Sequence, residues 1–221
     1  MFKEIKALIW KELVLEWRQK YAFNGLLLYI GSTIFLTYLG FQTFNQNLSS
    51  ATWNVLFWII LLFAAVNAVA KSFVQESSAR HLYYYSIAKP ESIIISKMIY
   101  NALLLLTIAV IGLLIYSVVL GNPVQEMSLF FLGLALGAMA FSASLTLISG
   151  IAAKTGNPAT IMAILAFPVL APVILMAIRI SWNAISGISI SDSLSSVYGL
   201  LAVNLIMPAM SYILFPFLWR S

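Results

Sequence analysis

The sequence predicts an all-α membrane protein: six transmembrane helices preceded by an N-terminal interfacial helix, in a single domain over residues 1–221. Three observations carry this. Hydrophobic residues make up 62% of the 221 positions and charged residues 9%, with a mean hydropathy of +0.98, whereas a soluble domain carries about 25% charged residues to cover its surface. The apolar residues gather into long uncharged runs, each near the roughly 20 residues that cross a hydrocarbon core. All basic residues but Arg179 then fall on one side of the membrane when these runs are threaded back and forth.

The runs are Phe23 to Phe41, Trp53 to Val74, Met98 to Leu120, Ser128 to Ala152, Ala159 to Ile178 and Ser196 to Leu218. The first is too long for a signal-peptide core and no Ala-x-Ala-like site follows it. Lys71 sits near enough to the end of the second run to snorkel into the headgroups. Lys3, Lys6, Lys11, Arg18 and Lys20 precede the first span; Lys71, Arg80, Lys89 and Lys97 lie between the second and third; Lys154 follows the fourth and Arg220 the sixth. By the positive-inside rule that side is the cytoplasm, and both termini lie there. The net charge of +5 is therefore a topology signal, not a nucleic-acid footprint. Trp17, Tyr21, Trp53, Tyr100, Tyr116, Trp182, Tyr198 and Trp219 stand where interfacial aromatics are expected. With no cysteine, disulfides, thiolate metal sites and iron–sulfur clusters are excluded.

Residues 1–20 are too charged to span but are patterned. Phe2, Ile5, Ile9 and Leu13 recur at helical spacing with Trp10 and Trp17 on the same flank, while Glu4, Lys11 and Arg18 mark the opposite face. This predicts an amphipathic elbow helix in the headgroup boundary, with a Glu16–Lys20 pair one turn apart; the plainer alternative is a basic leader that only sets topology. Residues 75–97 form the longest hydrophilic stretch on the same side. Ser77 or Ser78 can cap a short helix presenting Leu82, Tyr85 and Ile87, and Pro90 stops it because the residue before a proline is pushed out of the helical region. Glu91 and Ser92 then open the next helix. Three successive tyrosines, Tyr83 to Tyr85, fit either a docked partner or the membrane interface. The lone His81 has no companion ligand and reads as a polar loop residue.

Asn24, Asn67, Asn101 and Asn204 sit in or near spans, but no ionisable residue occupies a span centre. Ion-coupled carriers place such residues at the midplane, so energy for transport must come from a partner. The fourth span is rich in small residues, and its Gly133-x-x-x-Gly137 permits close approach of another helix, within the protein or across a dimer. Pro168 and Pro172 in the fifth span, and Pro208 and Pro216 in the sixth, each remove a backbone bond and predict bent or discontinuous helices. Lys154-Thr155 after Gly150 lacks the glycine and the strand of a phosphate loop, so no ATP site is read there.

With these residues in place, the chain resembles CcmB, the permease family of the cytochrome c maturation system. The likeness lies in the order of the basic elbow Leu8-Ile9-Trp10-Lys11-Glu12-Leu13, the loop from Phe73 to Lys97, the Lys154-x-Gly156 turn, the Pro168-x-x-x-Pro172 pair and the Pro208-containing last span closed by Arg220. It departs in the loop, where Glu76-Ser77-Ser78-Ala79 and the tyrosines replace the acidic run and Asp-Gly of relatives. The resemblance implies an ABC exporter permease-like fold in the bacterial inner (cytoplasmic) membrane. It implies a homodimer or pseudo-dimer with a cytoplasmic CcmA-like ATPase and a haem-handling CcmC-like membrane subunit, acting in haem export or release of haem to a chaperone. ATP would be hydrolysed in the partner, so the chain is no enzyme and binds no cofactor directly; haem enters as possible substrate, and no nucleic acid is involved. Residues 75–89 would be the coupling helix, with Glu76, Arg80, Leu82, Tyr83 and Tyr85 as ATPase contacts. A permease for a lipid, polysaccharide or drug, or a non-transporting scaffold, would share the same physical features.

Overall fold

Inside a hydrocarbon layer every backbone N–H and C=O must be bonded within the protein, so apolar runs of this length cross as helices. The computed structural model describes residues 1–44, 47–74 and 88–220, with the backbone alone at 19, 21–22, 70–74 and 219–220. These residues form α1 (Phe2–Gln19), α2 (Tyr21–Thr43), α3 (Ser50–Val74), α4 (Pro90–Leu120), α5 (Met127–Ala152), α6 (Pro158–Ile185) and α7 (Ile190–Arg220). No strand occurs among the described residues. Each of α2 to α7 contains a stretch long and apolar enough to cross a membrane.

Two of the boundaries that differ from the sequence reading do so because a lone charge was taken for a loop residue. Helix α4 begins at Pro90, with Glu91 in its first turn, after an extended Lys89 (φ −71°, ψ 140°). Proline suits that first position, since its φ is already helical and its missing N–H has no bond to make there. The loop expected over 75–97 therefore ends by Lys89, and Lys97 lies two turns inside the helix, only 5% exposed. Likewise α6 runs on to Ile185, so Arg179 is an exposed helical residue and not part of a loop. Beyond Ile185 the chain turns at Gly187, whose φ of 66° is the left-handed conformation that ends helices.

Helix α5 lies at the centre, packed by α3, α4, α6 and α7. A Cβ at Gly133 would stand 2.8 Å from Cγ2 of Ile180, and one at Gly137 would stand 2.6 Å from the Trp58 ring. The small-residue face thus meets α6 and α3 of the same chain. Trp58 sits in the space left by Gly137, its indole N–H donating to Ser181 Oγ at 2.7 Å, while that hydroxyl donates to the Ala177 carbonyl. At the end of the bundle away from the basic residues, Trp53, Phe57, Tyr116 and Phe130 form an aromatic cluster with centroids 4.8 to 6.0 Å apart, Trp53 stacked on Phe57 and the other pairs edge-on or tilted. Trp53 donates to the Gly121 carbonyl and Tyr116 to the Trp53 carbonyl, giving both buried aromatics the polar partner they need. Trp53 and Tyr116 are 2% and 1% exposed and are core residues, not interfacial anchors; Trp17 and Tyr198 are exposed.

Helices α6 and α7 run through Pro168 and Pro172, and through Pro208 and Pro216, without a break. Each proline leaves a carbonyl one turn back without its bond, a smaller loss in hydrocarbon than opening the whole helix. Asn54 donates to the Ile178 carbonyl, Asn101 to Thr146 Oγ1 and Asn204 to the Leu136 carbonyl, so these intramembrane amides join helices.

Candidate functional site at the basic end of the bundle

The chain enters α4 from segment 75–87, and the residues expected to contact an ATPase (Glu76, Arg80, Leu82, Tyr83 and Tyr85) lie outside the described residues. The structure describes what receives that segment. From Ala88 the chain passes directly into the first three turns of α4, which are gripped on two sides.

One side is α1. Its residues 4, 8, 12 and 16 recur every four positions and so share one face. Three of them are acidic. Glu4 accepts the Ser92 hydroxyl at 2.8 Å, Glu12 stands 3.7 Å from the buried Lys97 ammonium and 2.8 Å from Lys11, and Glu16 accepts the Tyr100 hydroxyl at 3.3 Å. The Ser92 hydroxyl, assisted by the N-terminal ammonium and Lys89, holds the Glu4 carboxyl below its ordinary value against a smaller opposing effect of burial. Glu16 has a second task. Its other oxygen accepts the Phe23 amide at 2.7 Å, one of the N–H groups that the first turn of α2 cannot satisfy within the helix. One carboxylate therefore joins α1, α2 and α4. Lys20, the partner expected for Glu16, forms the corner between α1 and α2, and its ammonium stands 5.7 Å above the Trp17 ring.

The other side is a second apolar cluster, separate from the main core. Ile93, Ile94 and Met98 of α4 pack with Leu147 of α5 and Phe215 of α7, with Leu8 of α1 and Ala88 at the margin. Ser142 of α5 donates to the Met98 carbonyl at 2.9 Å. A displacement applied to the chain at Ala88 thus bears at once on α1, α5 and α7. Among the described residues no three His, Cys, Asp or Glu side chains gather as a metal site would need.

The sequence reading anticipated α1 and its Phe2, Trp10 and Trp17, which are exposed, and placed Glu4 with Lys11 and Arg18 on the face opposite the apolar stripe, not against α4. The acidic face was missed, although its signal was present: acids at 4, 12 and 16 share one helical face, and Ser92, Lys97 and Tyr100 offer donors within three turns of another. Gly133 and Gly137 lie in the main core, while Pro168, Pro172 and Pro208 lie within α6 and α7; none belongs to this site.

The family model described as CcmB protein matches residues 3–213, from the first turn of α1 nearly to the end of α7. The chain belongs to the CcmB family. No curated protein and no solved structure matches it. Membership makes the chain a multi-pass membrane permease subunit of an ABC complex serving cytochrome c maturation, a complex in which an ATPase is a partner. The match takes in both the acidic face of α1 and the donors of α4.

Proposed function

We propose that this chain is the membrane half of an ATP-driven machine that moves haem, or releases it to a chaperone, on the far side of the bacterial inner membrane. The observation that carries the reading is the family match over residues 3–213. In this reading two copies of the chain pair with a cytoplasmic CcmA-like ATPase and with a haem-handling CcmC-like membrane subunit. Both termini face the cytoplasm, as the clustering of basic residues favours. Segment 75–89 docks on the ATPase, with Leu82, Tyr83 and Tyr85 as anchors, because buried aromatics carry a large share of interface energy. The close packing at the start of α4 supports this coupling role, since it links the exit of that segment to three other helices.

The test adds purified ATPase subunit to membrane vesicles holding the full-length chain in its complex. Inverted vesicles should retain the ATPase and right-side-out vesicles should not. Tyr83→Ala combined with Tyr85→Ala should insert at normal levels, lose the ATPase by at least about tenfold, as removal of one hot spot does, and lower cytochrome c maturation in parallel. Retention of the ATPase at wild-type yield would remove segment 75–89 as the coupling element. Unchanged maturation without ATPase binding would favour the scaffold reading, and full ATPase binding in cells that need no haem handling would favour another substrate.

A further inference from the structure

A cavity of about 460 Å³ opens where α1, α2 and α4 meet, within the 300–1,000 Å³ typical of small-molecule sites. Its wall is almost wholly apolar, with Leu13, Phe23, Leu103 and Leu104 facing it and Thr107 at the end reaching furthest along α4. Its polar groups are gathered toward the corner between α1 and α2: Glu16, Lys20 and Asn24, with Tyr100 opposite. An apolar slot beside an elbow helix, with charge at one end only, has the polarity of a lipid at a membrane boundary.

The two charges narrow the ligand further. Glu16 and Lys20 are one helical turn apart, linked by the Lys20 amide donating to the Glu16 carbonyl, and positions so spaced have Cβ atoms about 5–6 Å apart. Among the described residues, one Glu16 oxygen accepts the Phe23 N–H and the other the Tyr100 O–H, and a carboxylate oxygen can accept a second donor. The backbone at Lys20 takes φ 51°, ψ 13°, a conformation relaxed for glycine and strained for a side chain. A lysine is thus held where the turn alone favours glycine, with its ammonium over the ring of Trp17, which is itself exposed.

We propose that this cavity holds one phospholipid with a primary-amine headgroup, of the phosphatidylethanolamine type, from the leaflet at the basic end of the bundle. Its ammonium lies against Glu16, its phosphate against Lys20, and one acyl chain fills the slot between α2 and α4. A phosphatidylglycerol headgroup has no cation for Glu16, and a choline cannot donate hydrogen bonds to it. The site is independent of what the complex transports.

The test exchanges the detergent-purified full-length chain against mixed micelles of equal phosphatidylethanolamine, phosphatidylglycerol and phosphatidylcholine, and counts retained lipids by native mass spectrometry. The wild type should keep one phosphatidylethanolamine, preferred by about tenfold, the factor that one charge-assisted hydrogen bond supplies. Thr107→Trp places a ring in the slot from an exposed position and should abolish retention of any lipid there. Lys20→Met should lose the phosphate contact and lower retention by about tenfold, with the melting temperature of the delipidated chain unchanged in both variants. Equal retention of the three lipids by the wild type, or full retention by Thr107→Trp, would overturn the proposal. Competition by water-soluble glycerophosphoethanolamine at the same concentration as the lipid would also overturn it, because the apolar slot would then contribute nothing.

Discussion

Around α5, side chains from α3 and α6 close on positions 133 and 137 so tightly that no Cβ fits. On the outer flank, α2 packs Ile30 and Ile34 against α4, whereas α1 is joined to α4 and α2 through three carboxylates. The contrast extends to burial: 78% of the most apolar stretch of α5 lies inside the protein, against 17% for that of α2. In lipid the hydrophobic effect gives helices no reason to associate, so close packing and interhelical polar bonds do the joining; the central helix relies on the first and the elbow helix α1 draws heavily on the second. Shape fails abruptly when a methyl group is added, because a packed core has no slack. A set of separate polar contacts weakens one step at a time, which suits a flank beside the segment proposed to receive force.

The sharpest way to break this comparison is Gly137→Leu. Its side chain must displace the Trp58 ring, and overpacking of this kind costs about 1–3 kcal/mol or more. We expect little folded protein in the membrane and a steep loss of thermal stability in detergent; normal accumulation would show that the centre is not held by close approach.

Next in size is Glu12→Gln, which leaves the Lys97 ammonium, 5% exposed, without the carboxylate 3.7 Å away. Weakening a buried charged contact costs about 1–3 kcal/mol. Because α5 is untouched, the chain should accumulate normally while hydrogen exchange in α1 and the first turns of α4 rises together. Global unfolding at the same midpoint as Gly137→Leu would erase the distinction between the two regions.

The smallest effect concerns Glu4. Its carboxyl is held below the ordinary value in the folded protein, so its contribution is complete above the carboxylate value of the unfolded chain. It is lost as pH falls through the depressed folded value. Hydrogen-exchange protection of the first turns of α1 should therefore decline at acid pH, and Glu4→Gln should show the lowered protection already at neutral pH, without the acid step. As Glu4 is exposed on one side, the change should stay local.

The sequence by itself determined the number of spans, their order and the elbow helix ahead of them. The reason is that lipid imposes a local demand: about 20 apolar residues with internally bonded backbone, legible in any window of that length. It also marked Glu91 and Ser92 as the opening of a helix, one residue after its observed start at Pro90, and the glycines of α5 as points of close approach. The faces that meet were decided only by the tertiary structure. A span is apolar toward lipid and toward its neighbours alike, so hydrophobic periodicity, which identifies the buried side in water, carries little information there. Trp53 and Tyr116 therefore read as interfacial anchors until α3, α4 and α5 brought them into one buried cluster. Lys97 read as a loop residue until α1 supplied Glu12. Glu4, Glu12 and Glu16 are far in sequence from Ser92, Lys97 and Tyr100, and only the packing of α1 on α4 makes them partners.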